Sequence, residues 1–333
     1  MVTLNDIAKA TGYSLSTTSI VLRGKAEERN ISDKTKNTIL EAAQKLGYRA
    51  NVAARRLRAN TDDSVVVSVF MALDKRSNIM LRLLMGLQKA AEECSQPVEI
   101  MIHSYKSGEL ASMAEKIALT GCAIICNASD DDMRFLENTQ FAIPVVLFLR
   151  ASTKYCCVNT SMTEIGKLAA NIFAERKCKR AVILRTESYY SGLDYSRNKF
   201  AAVAEEHGMT TAHIYETHDI DGGYRGGIAI REMQPLPDCV FCTSDNMALG
   251  LIYALKEIDI KIPEQIEIIS SGIDNPEFLK YSNPPVSAIN VPIDVMAREC
   301  INLLFLQLGG KIDTPQTVEV PFEYVARESC EAV

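Results

Sequence analysis

Three groups of residues in this chain have the types and spacing to do chemistry. The first is a set of polar residues that each follow an apolar run: Asn127 after Ala123-Ile124-Ile125-Cys126, Ser244-Asp245 after Cys239-Val240-Phe241-Cys242-Thr243, and Asp274-Asn275 after Ser271-Gly272-Ile273. If the runs are strands of an α/β sheet, these side chains gather where such sheets bind ligands, outside the carboxyl ends of their strands. The second is the hydroxyl-rich stretch Ser14 to Ile20. Read as a helix, it exposes Leu15, Ser16, Ser19 and Ile20, short side chains that can reach base edges. The third is Asn51 to Arg58, where Arg55, Arg56 and Arg58 offer charge to phosphate.

Catalysis finds less support. The histidines, at 103, 207, 213 and 218, are scattered, and none pairs with a plausible nucleophile. His207 precedes Gly208 and reads as a solvated helix end. Asp130-Asp131-Asp132 sits where a helix should begin, so its charges suit a helix start better than a metal. Cys156-Cys157 and the Cys239/Cys242 pair lie on or beside apolar runs with no second Cys/His pair at zinc spacing, and read as small buried hydrophobes. No Gly-x-Gly-x-x-Gly follows the first strand and no Gly-Lys-Ser/Thr occurs, which disfavours a nucleotide-dependent enzyme. We expect no metal, no cofactor and no enzymatic activity.

The elements that must position these residues fall into two parts. Residues 1–60 carry five lysines and six arginines against two aspartates and three glutamates, so the head is basic although the whole chain of 333 residues has a net charge of −6. A basic head on an acidic body points to a polyanion partner for the head alone. With Thr3 and Asp6 at its start and Gly12 as its stop, the first helix is short, and Leu4, Ile7 and Ala8 share a face. Ser14 caps a second helix, Leu15 to Leu22, with Thr18, Val21 and Leu22 as its buried stripe. Ser32 caps a third, with Ile39, Ala42, Ala43 and Leu46 inward and Gly47 as its stop. Two short helices across a glycine turn, followed by a third, make a helix-turn-helix whose second helix enters the major groove. Asn51–Arg58 can form a helix but is too short to hold one alone, since isolated helices below about 12–15 residues are marginal in water.

From Val65 onward strands and helices alternate. Strands are expected at 65–70, 98–102, 123–126, 145–148, 181–184, 239–242 and 266–270, and helices at 79–93, 113–119, 165–176, 199–206 and 247–257. That rhythm indicates parallel sheets covered by helices on both faces. No run approaches the length of a membrane span and no export signal opens the chain, so a cytoplasmic protein with reduced thiols and no membrane association is expected.

The motif Thr3-Leu4-x-Asp6-Ile7-Ala8-x-x-x-Gly12-x-Ser14-x-x-Thr17-x-Ser19, followed by Leu40 to Asn51, resembles the head of the lactose-repressor (LacI/GalR) family of bacterial transcription regulators. The body is similar to that family's sensor, two-lobed and like type I periplasmic binding proteins. Its marks are Ile143-Pro144-Val145-Val146-Leu147, Ser244 to Gly250, Ile262-Pro263-Glu264-Gln265-Ile266, Ser271 to Asn275 and Pro284-Pro285-Val286-Ser287. The resemblance implies an α/β chain with an all-α head over 1–48, a hinge over 49–61 and a sensor over 62–333. Its N-lobe spans about 62–161 and 291–320, and its C-lobe about 162–290 and 321–333. It implies double-stranded DNA with a roughly palindromic operator, a small-molecule effector and a homodimer as partners. It places base reading at Leu15, Ser16 and Ile20, phosphate contacts at Thr17, Ser19 and Asn51, and a minor-groove wedge at Leu57. Ile20 departs from the arginine usual there, so it can only pack on apolar surface such as a thymine methyl.

For the effector, the resemblance points to Asn127, Arg197, Ile220, Ser244 and Asp274. Asp274 is the acid suited to paired sugar hydroxyls. Leu149 stands where many sugar-binding members have aspartate, Ile220 near a stacking aromatic, Val291 for a polar residue and Ser244 for an asparagine, and the chain has no Trp. The expected effector is a sugar or sugar derivative, with a nucleobase, an organic acid or another metabolite as alternatives. Two further readings stay open: the same frame answering to a protein partner through a degenerate pocket, and a sugar-binding protein without a regulatory role.

Overall fold

The computed structural model describes residues 4–22, 29, 31–46, 64–73, 77–187 and 194–331. The chain divides into two compact units, Met1–Asp63 and Ser64–Val333. In the first, α1 (Leu4–Thr11), α2 (Leu15–Leu22) and α3 (Asp33–Lys45) form the head. Gly12 closes α1 at φ +73° with open space around it, so the turn needs glycine for its conformation and not for room. The Ser14 hydroxyl accepts the Thr17 amide at 3.1 Å and the Ser32 hydroxyl accepts the Thr35 amide at 3.3 Å, which satisfies donors that each helix start leaves open. Ile7, Val21, Ile39 and Ala43 make the small core, and Thr18 is buried beside it. Leu46 is 41% exposed, against expectation, because α3 ends at Lys45 and the inward stripe stops one turn earlier. The expected hinge, with Asn51 and Leu57, lies outside the described residues.

The second unit holds two six-stranded sheets. The first is built from β1 (Val65–Leu73), β2 (Val98–Lys106), β3 (Cys122–Cys126), β4 (Val145–Phe148), β5 (Cys156–Asn159) and β11 (Thr317–Glu319), in the order β11-β5-β4-β3-β1-β2 and parallel throughout. The second takes β6 (Arg180–Arg185), β7 (Thr210–Tyr215), β8 (Cys239–Cys242), β9 (Glu267–Gly272), β10 (Ser287–Asn290) and β12 (Glu323–Val325), in the order β12-β10-β9-β8-β6-β7, with only β12 antiparallel. The chain passes between the sheets after β5, after β10 and after β11. β3, β4 and β8 are buried at every residue, as continuous apolar runs in parallel sheets must be. Their cysteines are free, buried and packed as hydrophobes.

Helices α4 (Ser77–Glu92), α5 (Ala114–Leu119) and α6 (Asp130–Asn138) flank the first sheet, and α7 (Met162–Glu175), α8 (Asp194–Glu206), α9 (Ile220–Arg231), α10 (Asp245–Glu257) and α11 (Pro276–Leu279) follow in the second lobe. α12 (Ile293–Leu308) returns to pack on α4. Asp132 closes a capping box with Ser129, so the aspartate run does start a helix. Two long helices were not expected from the sequence, α9 and α12. α9 hides because Gly222, Gly223, Gly226 and Gly227 are poor helix formers. Their use is proximity: a Cβ on Gly223 would stand 2.0 Å from the Met247 carbonyl, and one on Gly250 1.9 Å from that of Ile220, so α9 and α10 lie almost backbone to backbone.

Candidate effector cleft and DNA-reading face

The carboxyl ends of both sheets face one cleft of about 710 Å³, counted out to its open mouth. From the first lobe come Ile79, Asn127, Phe148, Leu149 and Arg150, and from the second Thr186, Ser196, Arg197, His218 and Asp274. The positions that end β3 and β4 are strained. Asn127 has φ +60° and Leu149 φ +55°, where non-glycine residues pay a conformational cost that surrounding structure must hold. Asn127 is anchored by its amide to the Ala72 carbonyl at 3.3 Å.

Asp274 is the polar centre of the far wall. It is 1% exposed, accepts from His218 Nε2 at 2.9 Å and from Ser244 Oγ at 2.8 Å, and sends its own amide to Asp245 Oδ2 at 2.9 Å. Burial works to raise the Asp274 carboxyl, but the hydrogen bonds from His218 and Ser244 and the charges of His218 and Arg82 outweigh it and hold the group below the usual carboxylate range. Behind it Asp245 is fully buried. Burial first, then the charge of Asp274, push it up to about 7, against the pull of Ser270 and the amides of Asn275 and Asp274. The wall therefore includes one buried, ionised carboxylate among the residues that line the cleft.

Arg197 is 2% exposed and lines the cleft. It reaches Thr186 Oγ1 at 3.2 Å and Asp194 at 3.4 Å. Asn127 and Asp274 also stand where sequence reasoning put them. Two residues do not. Ser244 is buried behind Asp274 and steadies it without lining the cleft. Ile220 opens α9 and is 53% exposed, because Asp219 caps that helix and turns the next residue outward. The side chain at the cleft there is His218, which sequence reasoning missed, along with Arg150 and Thr186. Asp219 was the readable cap signal, masked by the glycines behind it. Among the described residues no group of His, Cys, Asp or Glu could hold a metal ion.

On the head, Leu15 is 48% exposed and Ser16 is exposed, while Thr17, Ser19 and Ile20 are half-buried. The Thr17 hydroxyl already meets Ser14 Oγ at 2.8 Å. α2 thus offers its N-terminal turn outward and buries Thr18 and Val21.

A family model described as bacterial regulatory proteins, lacI family, matches residues 3–51, and one described as periplasmic binding protein-like domain matches residues 170–330. The HTH-type transcriptional repressor PurR of Mannheimia succiniciproducens is 24% identical over 100% of both chains. The crystal structure of a LacI family transcription regulator from Clostridium acetobutylicum is 29% identical, with a TM-score of 0.76, over 79% of this chain and 99% of that one. The lac repressor dimer bound to operator and the anti-inducer ONPF shares the fold at 16% identity, with a TM-score of 0.72 over 99% of each chain. In the order they occur along the chain, the protein joins a head that matches the lacI family of bacterial regulatory proteins to a body that matches the periplasmic binding protein-like domain.

Proposed function

We propose that this protein is a DNA-binding transcription repressor, not an enzyme, whose operator affinity is set by a small polar effector held between the two lobes. The observation that carries this reading is the cleft itself: Asp274 and Arg197, both buried, face Asn127 and Leu149 from the opposite lobe. A ligand gripped by both lobes must bias their closure, and it shifts DNA affinity only by its differential affinity for the two states, typically about 1–3 kcal/mol. Leu149, Phe148 and Ile79 make the first-lobe wall apolar. The effector that suits this cleft has hydroxyls on one edge, for Asp274 and Arg197, and an apolar face on the other. A sugar or sugar derivative fits it.

The working unit is a homodimer with two heads on a roughly palindromic site. Leu81 and Met85 on α4 are 59% and 67% exposed, and Tyr253 and Tyr281 in the second lobe 61% and 78%. Apolar surface of that extent on each lobe suits a second copy. We assign the head to 1–48, the hinge to 49–61 and the sensor to 62–333. Leu15, Ser16 and Ile20 read bases, Thr17, Ser19 and Asn51 hold phosphates, and Leu57 wedges the minor groove. No helix among the described residues is long and apolar enough to cross a membrane, and work on operator DNA places the protein in the cytoplasm. A thermal-shift screen of metabolites tests the effector reading. A compound that stabilises the wild type but not Asp274→Asn supports it; a screen in which no sugar, nucleobase or organic acid stabilises the protein favours control by a protein partner.

A further inference from the structure

Helix α4 sends one long side chain out of its own lobe. Arg82 Nη1 donates to the carbonyl of Ile273 at 2.8 Å, and Nη2 to that of Val291 at 3.2 Å. Ile273 sits in the loop between β9 and α11, and the residue after it is Asp274. Val291 lies in the crossing from β10 to α12. The reach is possible because α4 lies close against α12. At Gly86, one turn beyond Arg82, an added Cβ would stand 2.8 Å from Ala297 Cβ and 3.0 Å from Asp294 Cα. The guanidinium is half-buried, and its burial outweighs the pull of Asp245, Asp294, Asp274 and Glu277 and holds it below the usual arginine range.

The Asp274 loop is therefore held from two sides. Asp245 Oδ2 accepts the amides of Asp274 and Asn275, both at 2.9 Å, from within its own lobe. Arg82 takes the Ile273 carbonyl from the other lobe. The same helix shows Leu81 and Met85 to the outside, the face assigned above to the second copy.

We propose that Arg82 is a positioning residue that ties the Asp274 loop to the subunit-facing helix α4, so that the state of the cleft is felt at the contact between subunits. The inference rests on the reading of the cleft as the effector site. A guanidinium is needed because its fixed fork meets two carbonyls at once, whereas an ammonium is a point charge on a flexible stem.

The test compares full-length wild type, Arg82→Met and Arg82→Lys, without ligand, by amide hydrogen exchange and sedimentation equilibrium. Arg82→Met is expected to raise exchange of the Asp274 and Asn275 amides about tenfold or more, to leave the β3 amides unchanged, and to change the dimer dissociation constant at least threefold. Arg82→Lys should fall between. A merely structural role would raise exchange in β3 as well, and that pattern overturns the proposal. So does wild-type exchange at 274–275, or a dimer constant within twofold of wild type. A wild type that selects no DNA from a random pool would instead overturn the regulator reading, and it leaves both of these readouts standing.

Discussion

Asp245 and Asp274 are two buried carboxylates, one hydrogen-bonding the backbone of the other, with environments that push them apart. The pH consequence of each has opposite sign. Asp245 is raised to about 7 by burial and by the charge of Asp274, so the folded state holds its proton more tightly than the unfolded chain does. Its contribution to stability is fully present below the ordinary Asp range and is lost as pH rises from about 4 towards 7. Asp274 is lowered, so its contribution is present above the ordinary range and lost as pH falls through its folded value. The Asp245→Asn variant should therefore show a flatter fall of stability between pH 5 and 7 than wild type, by urea denaturation at each pH; identical slopes would place the titration elsewhere. Asp274→Asn should weaken binding of any compound found by thermal shift by roughly 10- to 100-fold, the value of about 1.5–3 kcal/mol for a hydrogen bond to a charged group. Asn127 and Asp274 were legible in the sequence because both follow apolar strand runs, whereas Arg197 lies within a helix and was suggested only by family resemblance. His218 was not, because the signal that places it is the cap of a helix disguised by four glycines.

Among the elements, most of the strand–helix rhythm could be read from apolar runs, and the second helix of the head was read to the residue, Leu15–Leu22. Where reading failed, local propensity and tertiary need disagree. α9 is glycine-rich since it must lie against α10, and β7 is an edge strand whose burial alternates too weakly to announce it. The head illustrates the reverse case, in which local signals are strong and the core is small. Ile39 is wholly buried among Ile7, Val21 and Ala43. Ile39→Ala should cost about 2–4 kcal/mol, enough to unfold so small a domain. The expected outcome is loss of operator binding in a gel shift, with the thermal transition of the body unmoved. Retained binding at wild-type affinity would mean that the head core lies elsewhere.

At the scale of the whole molecule, a basic head and an acidic body meet through residues 47–63, which lie outside the described part of the chain. The heads must be paired to read two half-sites, and the apolar faces of the body are where pairing is expected. Replacing both Leu81 and Met85 by Asp should shift the protein from dimer to monomer in sedimentation at micromolar concentration, and should weaken operator binding with it. Dimers that survive both changes would move the interface off α4. Leu57→Ala should lower specific DNA affinity while sparing the fold, since a wedge acts only on bent DNA.

In the proposed function, α2 reads DNA under the control of the cleft. Selection of bound sequences from a random duplex pool, with wild type and with Ser16→Ala in parallel, tests it most directly. Wild type is expected to enrich a roughly palindromic site, and Ser16→Ala to relax the preference at one symmetric pair of positions, by about 1–3 kcal/mol per base pair. Recovery of no enriched sequence by the wild type would contradict it.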